Sequence, residues 1–344
     1  MIFKTISKKD FNKFLEILIE NNNFFAPQKI AKDKNKKPIY DLREIKNIGD
    51  IDFNYDIIKY PPRRFFLPYR EVISSFKIEN NTWEQNIGYE TKVPRVLLGL
   101  HPCDINSLNK LDKVLLLGDY PSPYYAIRRK NTFIIGMDCE PKPFCFCRSV
   151  GTHTVQHGCD LFLIEIGDSY FMEIFSNIAF DFLKKVKTKD TTKADDDEYK
   201  RIRKLKTEKF SAKVDVTDLT KILDMEFQSD VWKEWGDRCL GCGSCARVCP
   251  TCYCYGIEEK IDLKFQNAGK LKILHACTLV DFAEVAGGFN FRPEKHIRLK
   301  YRYYHKHRGF VEAYEESLCV GCGRCGQACL AGITVPEVIS SIRE

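Results

Sequence analysis

With 344 residues, the chain has room for about two domains and for a core that needs no disulfide staples. Its formal charge of +7 raises nucleic acid as a partner, but sixteen cysteines point to another use of the chain, since thiols in a cytosolic protein serve metal or redox chemistry more often than disulfides. The first twenty residues carry charge throughout and do not read as a signal peptide, and no apolar run is long enough to span a bilayer, so a soluble, cytoplasmic protein is expected.

In chain order, Ser7 and Asp10 resemble a capping box, and Phe11, Phe14, Leu15 and Leu18 recur at helical spacing, predicting an amphipathic first helix. The segment Tyr60-Pro61-Pro62-Arg63-Arg64 should be loop. Short apolar runs at Val93–Leu100, Val114–Leu117 and Thr132–Gly136 predict strands, and residues 160–176 predict a hairpin turning at Gly167-Asp168-Ser169. The charged stretch Lys184–Lys213 reads as a solvated helix or linker. A domain boundary is expected near residue 228. The overall expectation is an α+β chain: an α/β domain over residues 1–228, then a helical domain over 229–344 built on two cysteine runs.

Those runs are Cys239-Leu-Gly-Cys242-Gly-Ser-Cys245-Ala-Arg-Val-Cys249-Pro250 and Cys319-Val-Gly-Cys322-Gly-Arg-Cys325-Gly-Gln-Ala-Cys329. Both have the bacterial ferredoxin spacing C-x2-C-x2-C-x3-C, in which the fourth cysteine serves the other cluster. Three thiolates at this spacing wrap one cluster from a tight turn, while the fourth, one helical turn on, points away. The expected ligands of one 4Fe–4S cluster are Cys239, Cys242, Cys245 and Cys329, and of a second Cys319, Cys322, Cys325 and Cys249. Glycines 241, 243, 321 and 323 should let backbone N–H groups reach the sulfurs. Paired zinc sites would use pairs of C-x2-C rather than quartets. Gly321-x-Gly323-x-x-Gly326 matches the dinucleotide fingerprint, but no strand precedes it and cysteines occupy it, so the nicotinamide is not expected on this chain.

Cys103, Cys139, Cys145 and Cys147 form a second set of four, read as a candidate third iron–sulfur site, with Asp104 as an oxygen ligand in reserve and buried structural thiols as the alternative. Cys252, Cys254 and Cys277 are one short of a usual ligand set and read as buried thiols beside the clusters. Cys159 has His153 and His157 nearby, and His101 adjoins Cys103. Residues 288–308 mix Arg, Lys, His and aromatics. They read as an element packing its aromatics against the cysteine runs with its charges at the surface, as a docking face for an acidic partner, or, least favoured, as a nucleic-acid surface. No nucleophile elbow or HExxH motif appears, and no catalytic residue is assigned.

The chain resembles the beta subunits of archaeal sulfhydrogenases (soluble nickel–iron hydrogenases) and is similar to the iron–sulfur relay subunit of anaerobic sulfite reductase. In the first half the resemblance rests on Tyr60-Pro-Pro-Arg-Arg-Phe-Phe-Leu-Pro68, Leu98-Gly-Leu-His-Pro-Cys-Asp-Ile105 and Cys145-Phe-Cys-Arg-Ser-Val-Gly-Thr152. In the second it rests on Cys249-Pro-Thr-Cys-Tyr-Cys254, Ala286-Gly-Gly-Phe-Asn-Phe-Arg292 and the two runs. It implies an iron–sulfur relay in a cytosolic complex, with a flavin/NAD(P)-binding diaphorase-type subunit on one side and a catalytic hydrogenase or sulfite reductase subunit on the other. Leu330 in place of proline after the second run, and His275-Ala-Cys277 where relatives carry Trp, depart from the pattern.

Overall fold

A computed structural model describes residues 2–33, 35–79, 82–87 and 94–344. Strand β1 (Ile2–Ser7) leads into helix α1 (Lys8–Asn21), where the Ser7 hydroxyl accepts the Asp10 N–H and Phe11, Phe14, Leu15 and Leu18 are buried. Strands β2 (Asn23–Lys32), β3 (Pro38–Glu44), β4 (Arg70–Glu79), β5 (Thr82–Asn86) and β6 (Arg95–Leu100) follow. Val93, expected to open the last of these, lies outside the described residues. Helices α2 (Pro102–Leu115) and α3 (Pro123–Lys130) lead to β7 (Thr132–Met137), β8 (Leu161–Ile166) and β9 (Ser169–Ile174). The expected strand at Val114–Leu117 is instead the last residues of α2, Val114 and Leu115, and the turn that follows; the buried stripe of that helix includes Leu108 and Leu111. Four apolar residues in a row fit either element, and here the helical stripe upstream decides.

Strands β8 and β9 form the predicted hairpin, with Ile166 opposite Ser169. Helix α4 (Asn177–Leu183), the short β10 (Lys189–Asp190) and helix α5 (Lys193–Glu208) complete the first half. Helix α5 starts from a capping box at Thr192 and Asp195. It is not wholly solvated, because Lys206 is buried in an ion pair with Asp138.

Eight strands form one sheet in the order β10-β1-β9-β8-β7-β6-β2-β3. Its centre, β2-β6-β7-β8, is parallel, and antiparallel strands flank it. All six residues of β7 are buried, as expected for an interior parallel strand covered on both faces.

The second half contains helices α6 (Leu219–Met225), α7 (Val231–Arg238) and α8 (Ser244–Arg247), strands β11 (Tyr255–Ile261) and β12 (Asn267–Leu274), and helices α9 (Lys295–Tyr304), α10 (Phe310–Tyr314), α11 (Arg324–Gln327) and α12 (Val335–Arg343). Trp232, Trp235, Leu299, Tyr303, Val338 and Ile339 pack as its core. The β11–β12 hairpin makes this half more than a helical domain. Strand β12 pairs with β4 from Lys77–Asn267 to Arg70–Ile273, giving a four-stranded sheet β11-β12-β4-β5. That sheet crosses residue 228, so the halves are joined by backbone hydrogen bonds. The Arg63 guanidinium extends the join by donating to the carbonyl oxygens of Cys252 (2.6 Å) and Ala246 (3.1 Å). The segment expected as loop at Tyr60–Arg64 instead turns into a short 3-10 helix, Pro62–Phe65, that Pro61 and Pro62 can open because proline suits a first turn. Among the described residues no helix is long and apolar enough to cross a membrane.

Candidate metal centres

The two cysteine runs fold alike. Gly241 and Gly243 in the first and Gly321 and Gly323 in the second take positive φ, between +62° and +74°, and each run then makes one helical turn, α8 or α11. This left-handed backbone, which glycine adopts without Cβ strain, turns N–H groups toward the thiols. The Gly241 N–H donates to Cys239 Sγ and the Gly321 N–H to Cys319 Sγ, each at 3.4 Å.

The turns are crossed against each other. The Cys239 thiol is pushed up by burial and then by the charges of Cys245, Cys329 and Cys242. Burial pushes Cys319 up to about 11, with Cys325 and Cys249 adding to it. Cys322 rises to about 12 by burial, and Cys325 and Cys249 again stand beside it. Cys249 of the first run thus lies with the first three cysteines of the second, and Cys329 is near enough to Cys239 for its charge to bear on it. Cys249, Cys319, Cys322 and Cys325 line one cavity walled by Phe146 and Tyr303. Cys242 is exposed, whereas Cys322 is buried.

Among the described residues no three His, Cys, Asp or Glu side chains are grouped to hold a single metal ion. Four of the thiols, Cys249, Cys319, Cys322 and Cys325, share a cavity instead, as a multi-atom cluster requires. An all-thiolate donor set with apolar walls fits iron–sulfur chemistry.

Cations offset the thiolates. Arg302 is buried with Nη1 3.7 Å from Cys252 Sγ and Nη2 3.4 Å from the Cys245 carbonyl oxygen. Lys306 is buried and donates to Thr251 Oγ1 at 3.0 Å. Burial alone would push Lys306 down, but the Cys249 and Cys252 thiolates outweigh it and hold the ammonium charged. Of the aromatics of residues 288–308, Tyr303 and Tyr304 pack inward, their rings 5.9 and 5.6 Å from Trp232, whereas Phe289, Phe291 and Tyr301 are exposed. The charges of that stretch, expected at the surface, do not all stay there: Arg298, Lys300, Arg302 and Lys306 are buried. The negative thiolates of the neighbouring runs give the two cations beside them, Arg302 and Lys306, a reason to point inward.

In the first half, Cys103 sits in the first turn of α2 just beyond β6, Cys139 lies just beyond β7, and Cys145 and Cys147 lie on the following loop. All four line one cavity, together with His101 and Lys206. Asp104 is not free to act as a ligand. Its carboxylate pairs with Arg324, Oδ1 to Nη1 at 2.8 Å and Oδ2 to Nη2 at 3.0 Å, with both side chains buried. Arg324 stands between Cys322 and Cys325, and its Nε also donates to the Ile58 carbonyl oxygen at 2.9 Å. Sequence reading missed Arg324, Arg302 and Lys206 as site residues. The visible signal for the first was its place inside a cysteine run.

Cys252 is buried beside Cys249, while Cys254 and Cys277 meet at the base of the β11–β12 hairpin. Cys159 packs in the core against the central sheet and His153 lies against Phe210.

A family described as 4Fe-4S dicluster domain matches residues 238–333. Over 346 aligned residues, spanning 100% of this chain and 99% of the relative, the chain is 34% identical to the Sulfhydrogenase 2 subunit beta of Pyrococcus furiosus. No solved structure matches. Full-length identity at this level, together with thiol-lined sites in the region matched as a dicluster domain, establishes that the chain belongs to the sulfhydrogenase beta-subunit family and is an iron–sulfur electron-transfer subunit.

Proposed function

We propose that this chain relays electrons between a flavin/NAD(P)-binding diaphorase-type subunit and a hydrogenase-type catalytic subunit through two 4Fe–4S clusters. One is held by Cys239, Cys242, Cys245 and Cys329, the other by Cys319, Cys322, Cys325 and Cys249. The observation that carries this reading is the crossed grouping of the thiols, with Cys249 lining the cavity of the second run and Cys329 beside Cys239. A bound 4Fe–4S cluster supplies reversible one-electron transfer.

The residues around the sites tune that transfer. The N–H donors of Gly241 and Gly321 and the buried cations Arg302 and Lys306 favour the more negative, reduced state and so raise the potential. Exposed Cys242 supports exchange with a partner at the first site, and buried Cys322 supports an interior position for the second. The glycines that mimic a dinucleotide fingerprint sit in the cysteine turns, which supports a nicotinamide bound on another subunit.

Anaerobic EPR of the dithionite-reduced chain is the test. Cys322→Ala should abolish one reduced-cluster signal and Cys242→Ala should weaken the other. Both signals intact in Cys322→Ala would sink the ligand assignment. Reduction of the clusters by NAD(P)H should require an added diaphorase-type subunit. A complex assembled with a sulfite-reducing subunit in place of a hydrogenase would select the alternative partner.

A further inference from the structure

Four cysteines outside the matched dicluster region converge on a space of their own. Strands β6 and β7 are parallel neighbours in the central sheet, and the chain beyond the carboxyl end of each carries a cysteine, Cys103 after β6 and Cys139 after β7. The crevice at the carboxyl ends of parallel strands is where open α/β sheets bind ligands. The loop after Cys139 brings in Cys145 and Cys147. Pro141 and Pro143 restrict its backbone, and the Cys145 N–H donates to the Lys142 carbonyl oxygen at 2.8 Å.

The surroundings of this cavity suit an anionic, thiolate-bound group. Cys103 opens α2, a fourteen-residue helix whose N-terminus carries partial positive charge. Lys206 is buried at the cavity, paired with Asp138 and donating to the His153 carbonyl oxygen at 3.0 Å. Four buried or half-buried thiols that share one cavity with a lysine are poorly explained as four separate packing residues, because a plain core would place apolar side chains there.

The cavity also adjoins the dicluster. The Phe146 N–H, between Cys145 and Cys147, donates to the Gly321 carbonyl oxygen at 2.8 Å, and the Thr152 hydroxyl donates to the Val320 carbonyl oxygen at 2.7 Å. A Cβ on Gly321 would stand 2.5 Å from the Cys147 nitrogen, and one on Gly323 would stand 2.3 Å from the Phe144 carbonyl oxygen. Cys103, Cys147 and Cys322 pack in one buried cluster with Phe210 and Val320. The glycines of the second run thus admit the N-terminal cysteine loop as well as turning the chain.

We infer that Cys103, Cys139, Cys145 and Cys147 hold a third 4Fe–4S cluster, which exchanges single electrons with the cluster bound by Cys322. In each exchange one centre is oxidised by one electron as the other is reduced by one, with no bond made or broken. This inference rests on the dicluster reading and extends the relay from the surface at Cys242, through the site of Cys322, into the crevice of the N-terminal sheet.

The experiment is iron, acid-labile sulfide and zinc analysis of the full chain purified anaerobically, with Mössbauer spectroscopy on iron-57-labelled protein. About twelve irons and twelve sulfides per chain are expected. Cys139→Ser, and separately Cys145→Ser, should each lose about four irons while the two dicluster EPR signals remain. Cys159→Ser, a buried cysteine outside the cavity, should lose none. Wild-type protein with about eight irons, or with about eight irons and one zinc, overturns the inference and leaves the dicluster standing. Fewer than eight in the wild type would count against the dicluster reading itself. The wild-type iron content decides the matter even where a variant fails to fold.

Discussion

The buried pair of Asp104 and Arg324 is one of the contacts that join the two halves. Its members come from the first turn of α2 and from the second cysteine run, and each is next to a cysteine. Removing one partner of a buried pair leaves an uncompensated charge, at a cost of roughly 3–5 kcal/mol. Asp104→Ala should therefore lower the urea midpoint of the metallated protein under anaerobic conditions, and the double variant Asp104→Leu/Arg324→Met should recover much of the loss. An unchanged midpoint in Asp104→Ala would remove the pair from the forces holding the halves together. His307 gives a second prediction. Burial, helped by Lys306 and Arg302, lowers its pKa from 6.5 to about 3, while its Nδ1 lies 3.1 Å from Ser317 Oγ. Between those values the unfolded chain binds the proton and the folded chain does not. The stabilisation is thus complete above about pH 6.5 and is lost as pH falls towards 3. The unfolding midpoint should drop on acidification through this window, and less steeply in His307→Asn. Equal slopes would show that His307 titrates alike in both states. At this scale the two cysteine runs stood out because their spacing is local, and the dicluster match covers both. Arg324 and Lys206 were not legible, and Asp104 was read as a reserve ligand rather than an ion-pair partner, because each acts through a residue far along the chain, 220 residues away in the case of Arg324 and Asp104.

Among the elements, those written in short-range pattern were readable. Helix α1 announces itself by the Ser7 cap and its apolar stripe, and the β8–β9 hairpin by apolar runs on either side of the Gly167-Asp168 turn. The β11–β12 hairpin was not read. Its strands mix Glu and Lys with the apolar residues, and its stability comes from pairing with β4, which no local pattern shows. The cysteine turns permit a paired test. Gly321 and Gly332 share a left-handed backbone, φ +62° and +66°, but a Cβ at Gly332 meets nothing within 4 Å, whereas one at Gly321 strikes the Cys147 backbone. Gly332→Ala should cost only the left-handed strain, about 1–2 kcal/mol. Gly321→Ala should cost more and should disturb the neighbouring cysteine loop, seen as a larger fall in urea midpoint. Equal costs would mean that the loop yields freely.

For the whole molecule, the shared sheet makes the halves interdependent. A fragment of residues 229–344 would lack the β4 partner of β12 and the Asp104 partner of Arg324, leaving an open strand edge and an unpaired buried cation. Expressed alone and purified anaerobically, it should fail to retain its iron or should aggregate. A monomeric fragment carrying about eight irons with unaltered EPR would show that the dicluster folds without the first half. The family match, confined to residues 238–333, gives no hint of this dependence.

The β4–β12 pairing also sets a timetable for synthesis. Lys77 and its partner Asn267 are separated by roughly 190 residues, which at about 5–20 residues per second leaves β4 waiting on the order of ten to forty seconds after it is made. During that interval its free edge is exposed on the nascent chain. The site proposed for Cys239, Cys242, Cys245 and Cys329 is completed later still, because Cys329 follows Asn267 in the chain. The protein therefore depends on whatever shields a half-built sheet in the meantime.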